Sequence, residues 1–135
     1  MPKRNKYDGY KRAKRSWVCF GCGYMVHTKR TKCLCGEKME YFSSKTEAAR
    51  GWVLRQLLHK GVIQGLQLHP KYKLIVEGEL ITTYSADFLY LNSSGKMVIE
   101  DVKGRGGFCD RESLLKIKLF NALYKKDGLQ IEIKS

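Results

Sequence analysis

Apolar residues recur at helical spacing in two stretches of the chain and alternate with polar ones in four others. In SSKTEAARGWVLRQLLHKG (43–61), Ala49, Trp52, Val53 and Leu57 fall on one face, with Leu54 and Leu58 beside it, which predicts an amphipathic helix. Ser44 is its expected N-cap, with Glu47 at the capping-box position three residues on, and Gly61 is the expected stop. RESLLKIKLFNALYKKDG (111–128) predicts a second helix, apolar at Leu115, Leu119, Ala122 and Leu123, capped by Asp110 and ended by Gly128. Between them, KYKLIVEGELITTYSADFLYLNSSGKMVIEDVKG (71–104) predicts three strands, with hairpin turns at Glu77-Gly78 and Ser93-Ser94-Gly95. The stretch before it reads as a connector, GRGG (104–107) as a glycine-rich loop and LQIEIK (129–134) as a fourth strand. The expected class is α/β (α+β), in the order α-β-β-β-α-β, with one mixed sheet and helices packed on it.

One strand breaks its own pattern. VIEDVKG (98–104) is apolar yet carries Glu100, Asp101 and Lys103. Strand alternation puts Met97, Ile99, Asp101 and Lys103 on one face and Val98, Glu100 and Val102 on the other. Glu100 is therefore expected to be structural or solvated, while Asp101 and Lys103 share a face. Asp87, in the preceding strand, can approach Asp101 across the ladder. Two carboxylates beside a lysine suit Mg²⁺, which takes a few carboxylate ligands and completes its shell with water and substrate phosphate. The lysine would hold the attacking water or stabilise charge on the phosphate. Glu47 could supply a further carboxylate. Each residue has an alternative: Glu47 as a capping acid, Asp101 and Lys103 as an edge-strand pair, Asp87 as a polar residue on a solvated face.

Charge changes the picture of what the chain meets. Of its 135 residues, 26 are basic and 13 acidic, a formal net charge of +13, which points to a polyanionic partner, nucleic acid above all. Residues 1 to 16 form a basic arm, including Lys11, Arg12, Lys14 and Arg15, that reads either as a phosphate-tracking segment or as a solvated tail. No apolar run approaches the ~20 residues of a membrane span, and no apolar h-region follows the N-terminal basic residues. The expectation is a soluble, cytoplasmic protein in a reducing compartment.

Four of the five cysteines lie in residues 17 to 42, spaced Cys19-x2-Cys22, ten residues, Cys33-x-Cys35. Four thiolates so close can close a tetrahedral structural zinc site and stabilise a segment too small for its own core. The alternative is free thiols, and His27 is a possible replacement ligand because the second pair is one residue shorter than the usual spacing. Four cysteines leave no open position for catalysis by zinc. Lys29, Arg30 and Lys32 on the connecting loop are candidate DNA contacts, and Cys109 has no assigned role.

Asp87, thirteen residues, then Asp101-Val102-Lys103, with Glu47 upstream on a helix, resembles the PD-(D/E)XK nuclease superfamily. Residues 43 to 135 are similar to phage-encoded proteins predicted to be such nucleases, through SKTEAARG, LQLHPKYKL, YSADF, IEDVKG and LLKIKLFNALY. The helix glutamate is also a feature of phage endonuclease I and archaeal Holliday-junction resolvases. Ala86 stands where the superfamily name has proline, and the cysteine module has no counterpart in the minimal fold. The resemblance implies a restriction-endonuclease-like core and Mg²⁺- or Mn²⁺-dependent hydrolysis of DNA phosphodiesters. Glu47, Asp87, Asp101 and the Val102 carbonyl would hold the metal and Lys103 would orient water. Arg105, Lys116 and Lys118 would contact the DNA backbone. It implies a phage endonuclease selective for branched DNA, a junction resolvase acting as a homodimer. A duplex-nicking or restriction-type nuclease, and a non-catalytic zinc-ribbon DNA-binding protein on a nuclease-like fold, are the alternatives.

Overall fold

The computed structural model of the chain describes residues 15–103 and 110–134. Three short strands, β1 (Ser16–Cys19), β2 (Met25–Val26) and β3 (Met39–Phe42), form a small antiparallel sheet of order β2-β1-β3. Ser16, which the sequence reading assigns to the basic arm, is a fully buried strand residue whose hydroxyl lies 3.1 Å from His27 Nδ1. The rest is mixed α+β, with two helices and a mixed sheet. No helix among the described residues is long and apolar enough to cross a membrane.

Helix α1 (Lys45–His59) begins as expected: the Glu47 N–H donates to Ser44 Oγ at 3.1 Å. Its buried face is shifted from the one the apolar count selects, although Leu54 is in the core and Trp52, Leu57 and Leu58 pack against it as expected. Glu47, Ala48, Gly51 and Leu54 are buried, whereas Ala49 is exposed and Val53 is 40% exposed. Small residues choose this face. A Cβ on Gly51 would lie 2.7 Å from Phe42 Cζ, so only glycine lets the helix close onto the ring that ends β3.

The long strand expected over 79–91 is bent, and the expected connector contains a strand. β4 (Gln64–Leu68) continues into β5 (Lys71–Val76), and β6 (Glu79–Ser85) continues into β7 (Phe88–Leu91). Together they make one antiparallel ribbon, turned at Glu77-Gly78 and bent where His69-Pro70 faces Ala86-Asp87. The bend keeps two hydrogen bonds, His69 N–H to the Asp87 carbonyl at 2.9 Å and Ala86 N–H to the Pro70 carbonyl at 3.0 Å. Proline has no N–H to continue the ladder, so the strands change sheets there. The single sheet expected from sequence is consequently two. A four-stranded mixed sheet runs β4-β7-β8-β9, with β8 (Met97–Val102) parallel to β9 (Ile131–Lys134), and β5-β6 forms a separate ribbon. After residue 43 the order is α-β-β-β-β-β-α-β, longer by two strands than the expected α-β-β-β-α-β.

Each face of the larger sheet carries one helix. On one, Phe88, Tyr90 and Val98 pack with Phe42, Ala48 and Leu54 beneath α1. On the other, Ile99 and Ile131 pack with Leu74, Tyr84, Ile117 and Phe120 beneath helix α2 (Arg111–Tyr124). The expected face of α2 is rotated, because Ile117 and Phe120 are its buried residues while Leu115 is 67% exposed. Asp110 caps it as expected, accepting from the Ser113 N–H at 2.6 Å.

Glu100, on the α1 face of β8, is fully buried and receives two bonds from Arg50, Nε to Oε1 at 2.8 Å and Nη2 to Oε2 at 3.0 Å. Bidentate charge-assisted pairing of this kind offsets the desolvation of a buried carboxylate. Burial pushes the Tyr90 phenol up, and its hydrogen bond to Glu100 pushes it further. Arg50→Ala strands Glu100 in the core and is expected to cost about 3 kcal/mol, seen as a lower urea midpoint at unchanged m-value. A loss under ~0.5 kcal/mol would show that the pair does not hold α1 to the sheet.

Candidate functional site

The two cysteine loops fold back on each other. The Gly23 N–H bonds the Cys19 carbonyl at 2.8 Å and the Gly36 N–H bonds the Cys33 carbonyl at 3.0 Å, with both glycines at positive φ. Cys19 and Cys35 sulfurs are 3.4 Å apart, Cys22 and Cys33 sulfurs 3.6 Å, and all four lie within 4.8 Å of one another. Zn–S bonds of ~2.3 Å at tetrahedral angles separate sulfurs by about 3.8 Å, so the four cysteines can bind a zinc ion. The shortened Cys33-x-Cys35 pair reaches because Gly36 tightens its turn, and His27 bonds Ser16 instead of standing in. Burial pushes the Cys19 thiol up, but the Cys22 N–H and neighbouring donors bring it down to about 7. The Glu37 N–H lowers Cys35, yet the Cys19 and Cys33 sulfurs beside it drive it up to about 12. Sulfurs that compete for protons in this way gain from a shared cation.

A second group of acids lines a cleft of about 410 Å³ where α1 begins, the ribbon bends and β8 ends. Glu47, Asp87, Asp101, Val102 and Lys103 all line it, with Tyr84, Ser113 and Lys116. Glu47 does not close a capping box: its Oε2 accepts from the Ser43 hydroxyl at 2.6 Å, and the carboxylate faces the cleft. Asp87 sits at the ribbon bend opposite Asp101 and accepts the Val102 N–H at 2.6 Å on Oδ2. Asp101 is buried, held by the Tyr84 hydroxyl at 2.5 Å and by Lys103 Nζ at 2.8 Å. Glu100 stands on the opposite face, as alternation requires.

Among the described residues, Glu47 and Asp87 of the cleft each offer a donor atom within 4.8 Å of one on His69, which is not among the residues lining the cleft. Asp101 belongs to the cleft but not to this trio, and its two oxygens are taken by the Tyr84 hydroxyl and Lys103 Nζ. Sequence reasoning missed His69. A lone histidine before a proline carries no chemical signal, and only the ribbon bend sets it beside Asp87. The Asp87 carboxyl is pushed up to about 8, chiefly by burial and then by Glu47, against the lowering Val102 N–H, with Asp101 adding to the rise. Acceptors clustered with so little compensating positive charge fit a divalent cation by their chemistry.

The candidate DNA contacts are dispersed. Arg15, Lys29 and Lys32 are exposed, and Arg30 is half-buried. Lys116 lines the cleft and pairs with Glu112 at 3.3 Å, while Lys118 on α2 is exposed. Lys11, Arg12, Lys14, Arg105 and Cys109 lie outside the described residues.

Residues 30–135 match a family model described as "Protein of unknown function (DUF1064)". The match takes in the whole acidic cleft and the second cysteine pair, and it begins after Cys22. No curated protein matches the chain.

Two outcomes test these sites. Elemental analysis is expected to find about one zinc per chain, and Cys22→Ser should lower that content sharply; zinc-free wild-type protein that folds normally would remove the structural role. Asp87, at about 8 folded against 3.8 unfolded, keeps a proton in the folded state that the unfolded chain has released. Metal-free stability should therefore fall as pH rises from about 4 to about 8. Asp87→Asn preserves an acceptor for the Val102 N–H and removes the charge. It should flatten that decline and add about 1–3 kcal/mol at alkaline pH, measured by urea unfolding on either side of the window.

Proposed function

The chain belongs to the DUF1064 family, whose description names no activity, and we propose from its cleft that it is a metal-dependent DNA endonuclease hydrolysing phosphodiester bonds. Branched DNA such as a four-way junction is the proposed substrate, and a homodimer the proposed acting form, since resolving a junction needs paired cuts. The observation that carries this reading is the shared cleft of Glu47, Asp87, Asp101 and Lys103, with Lys103 Nζ 2.8 Å from Asp101. The mixed sheet with one helix on each face supports a restriction-endonuclease-like core of the PD-(D/E)XK kind. The net charge of +13 supports a polyanionic substrate.

Glu47 and Asp87, with the Val102 carbonyl, would hold Mg²⁺ or Mn²⁺, and Asp101, outside that group, would hold Lys103 in place. When bound, such an ion polarises the scissile phosphate and lowers the pKa of a bound water. Lys103 supplies the fixed cation at this site. Its ammonium, oriented by Asp101, would hold the attacking water or stabilise charge that develops on the phosphate oxygens. Tyr84 locks the other side of Asp101, so the acid and the lysine keep their relative position. Lys116, on the same cleft, offers a contact to the DNA backbone.

Zinc-loaded protein is to be incubated with four-way junction, linear duplex and single strand, with and without added Mg²⁺ or Mn²⁺. Omitting the metal is a cleaner control than EDTA, which would also strip the cysteine site. Cleavage that prefers the junction is expected; equal cutting of duplex would replace branch selectivity with a duplex-nicking activity. Binding without cleavage under either metal would leave a DNA-binding protein and end the nuclease reading. Asp101→Asn and Lys103→Ala should each reduce cutting by about a hundredfold or more while DNA binding persists.

A further inference from the structure

We propose that His69 is a direct nitrogen ligand to the divalent cation of this cleft, which makes the site selective for a transition metal such as Mn²⁺ over Mg²⁺. The inference rests on the cleft being a cation site, and it deepens the nuclease reading by assigning a ligand and a metal class.

The ring is held as a ligand would be. Its Nε2 lies 3.3 Å from the Tyr41 carbonyl. A carbonyl can only accept, so Nε2 carries the hydrogen and Nδ1 of the neutral ring presents its lone pair. Donation of the second ring N–H to a backbone carbonyl is the usual way a metal-bound histidine is oriented. Nδ1 faces Glu47 Oε1 at 3.6 Å, and a ring nitrogen, a Glu47 oxygen and an Asp87 oxygen all lie within 4.8 Å of one another. Six-coordinate ions with ~2.1 Å bonds separate neighbouring donors by about 3 Å and opposite ones by about 4.2 Å. Three acceptor atoms at such spacing repel one another unless a cation or a proton lies between them.

The backbone also commits His69 to this place. Its φ of 53° is in the left-handed region, which few residues other than glycine adopt, although histidine tolerates it better than most. The hydrogen bond of its N–H to the Asp87 carbonyl holds it, and the ring packs on Phe42 with centroids 5.5 Å apart. The side chain is still 39% exposed, so a hydrated ion can reach it. Two carboxylates and one imidazole form a harder-softer donor set that suits Mn²⁺ and later transition ions better than Mg²⁺.

The test uses full-length protein carrying a single equivalent of zinc, so that the cleft is left open, and Mn²⁺, which binds too weakly in the divalent series to displace zinc from four thiolates. Loss of the free-ion electron paramagnetic resonance signal measures binding, and electron spin echo modulation of the bound ion detects a coordinated nitrogen. Wild-type protein should show nitrogen modulation. His69→Asn, which tolerates positive φ and lacks the imidazole, should lose it and bind Mn²⁺ about tenfold or more weakly, with Mg²⁺ competing poorly in wild type. Bound Mn²⁺ without nitrogen modulation, or modulation that persists in folded His69→Asn, would overturn the assignment. The wild-type spectrum decides even where the variant does not fold. Nitrogen coordination without cleavage of any DNA would uphold His69 as a ligand and end the nuclease reading. Junction cleavage with an all-oxygen Mn²⁺ site would do the reverse. No Mn²⁺ binding at millimolar concentration would remove both.

Discussion

Three carboxylates crowd the end of β8, and their mutual repulsion is the constraint that the surrounding structure has to contain. Asp101 is held by Lys103 and Tyr84, Glu47 by the Ser43 hydroxyl, and Asp87 by the Val102 N–H, while burial first and then Glu47 and Asp101 carry the Asp87 carboxyl up to about 8. Relaxation by moving apart is blocked. The Arg50–Glu100 pair ties α1 to β8 one residue from Asp101, and Arg50 lies one turn along the helix from Glu47. The ribbon bend, closed by two backbone hydrogen bonds, fixes Asp87 and His69. Acids held close together in a rigid frame are a general way for a fold to hold affinity for a cation or a charged transition state.

The cysteine module is part of that frame. Its last strand ends at Phe42, whose ring fills the space over Gly51 and packs against Phe88 and His69. The preceding residue, Tyr41, gives its carbonyl to His69, and the next residues lead through Ser43 and Ser44 to Glu47. At the other end of the module, a Cβ on Gly23 would meet the Trp52 indole at 2.8 Å, so the first cysteine loop lies directly on α1. Order among the four cysteines thus reaches the acidic cleft through a short run of covalent and packed contacts.

Local signals in the sequence were reliable where the physics is local. Capping by Ser44 and Asp110 and the turn at Glu77-Gly78 depend on neighbouring residues and are found where composition places them. The alternation that separates Asp101 from Glu100 follows from strand geometry alone. The buried face of α1 was read only in part: Leu54, Trp52, Leu57 and Leu58 pack on the core as expected, but hydrophobicity does not reveal that Gly51 and Ala48 permit the closest approach. The strand of residues 64–68 was hidden as a connector, and the bend at Ala86-Asp87 was invisible. Neither carries turn composition, and the bend exists because Pro70 faces it from the partner strand.

Sequence by itself determined the inventory: a basic chain, four cysteines at zinc-binding spacing, two capped helices and an acid-lysine strand. Each of these is written in residue type and short-range spacing. Tertiary structure decided the company the residues keep. It paired Glu100 with Arg50, fifty positions away, and turned Asp101 toward Tyr84 and Lys103. It also brought His69 to Glu47 and Asp87. Those contacts depend on where a ribbon bends and how closely a helix approaches a ring, and both are set by packing between segments distant in the chain.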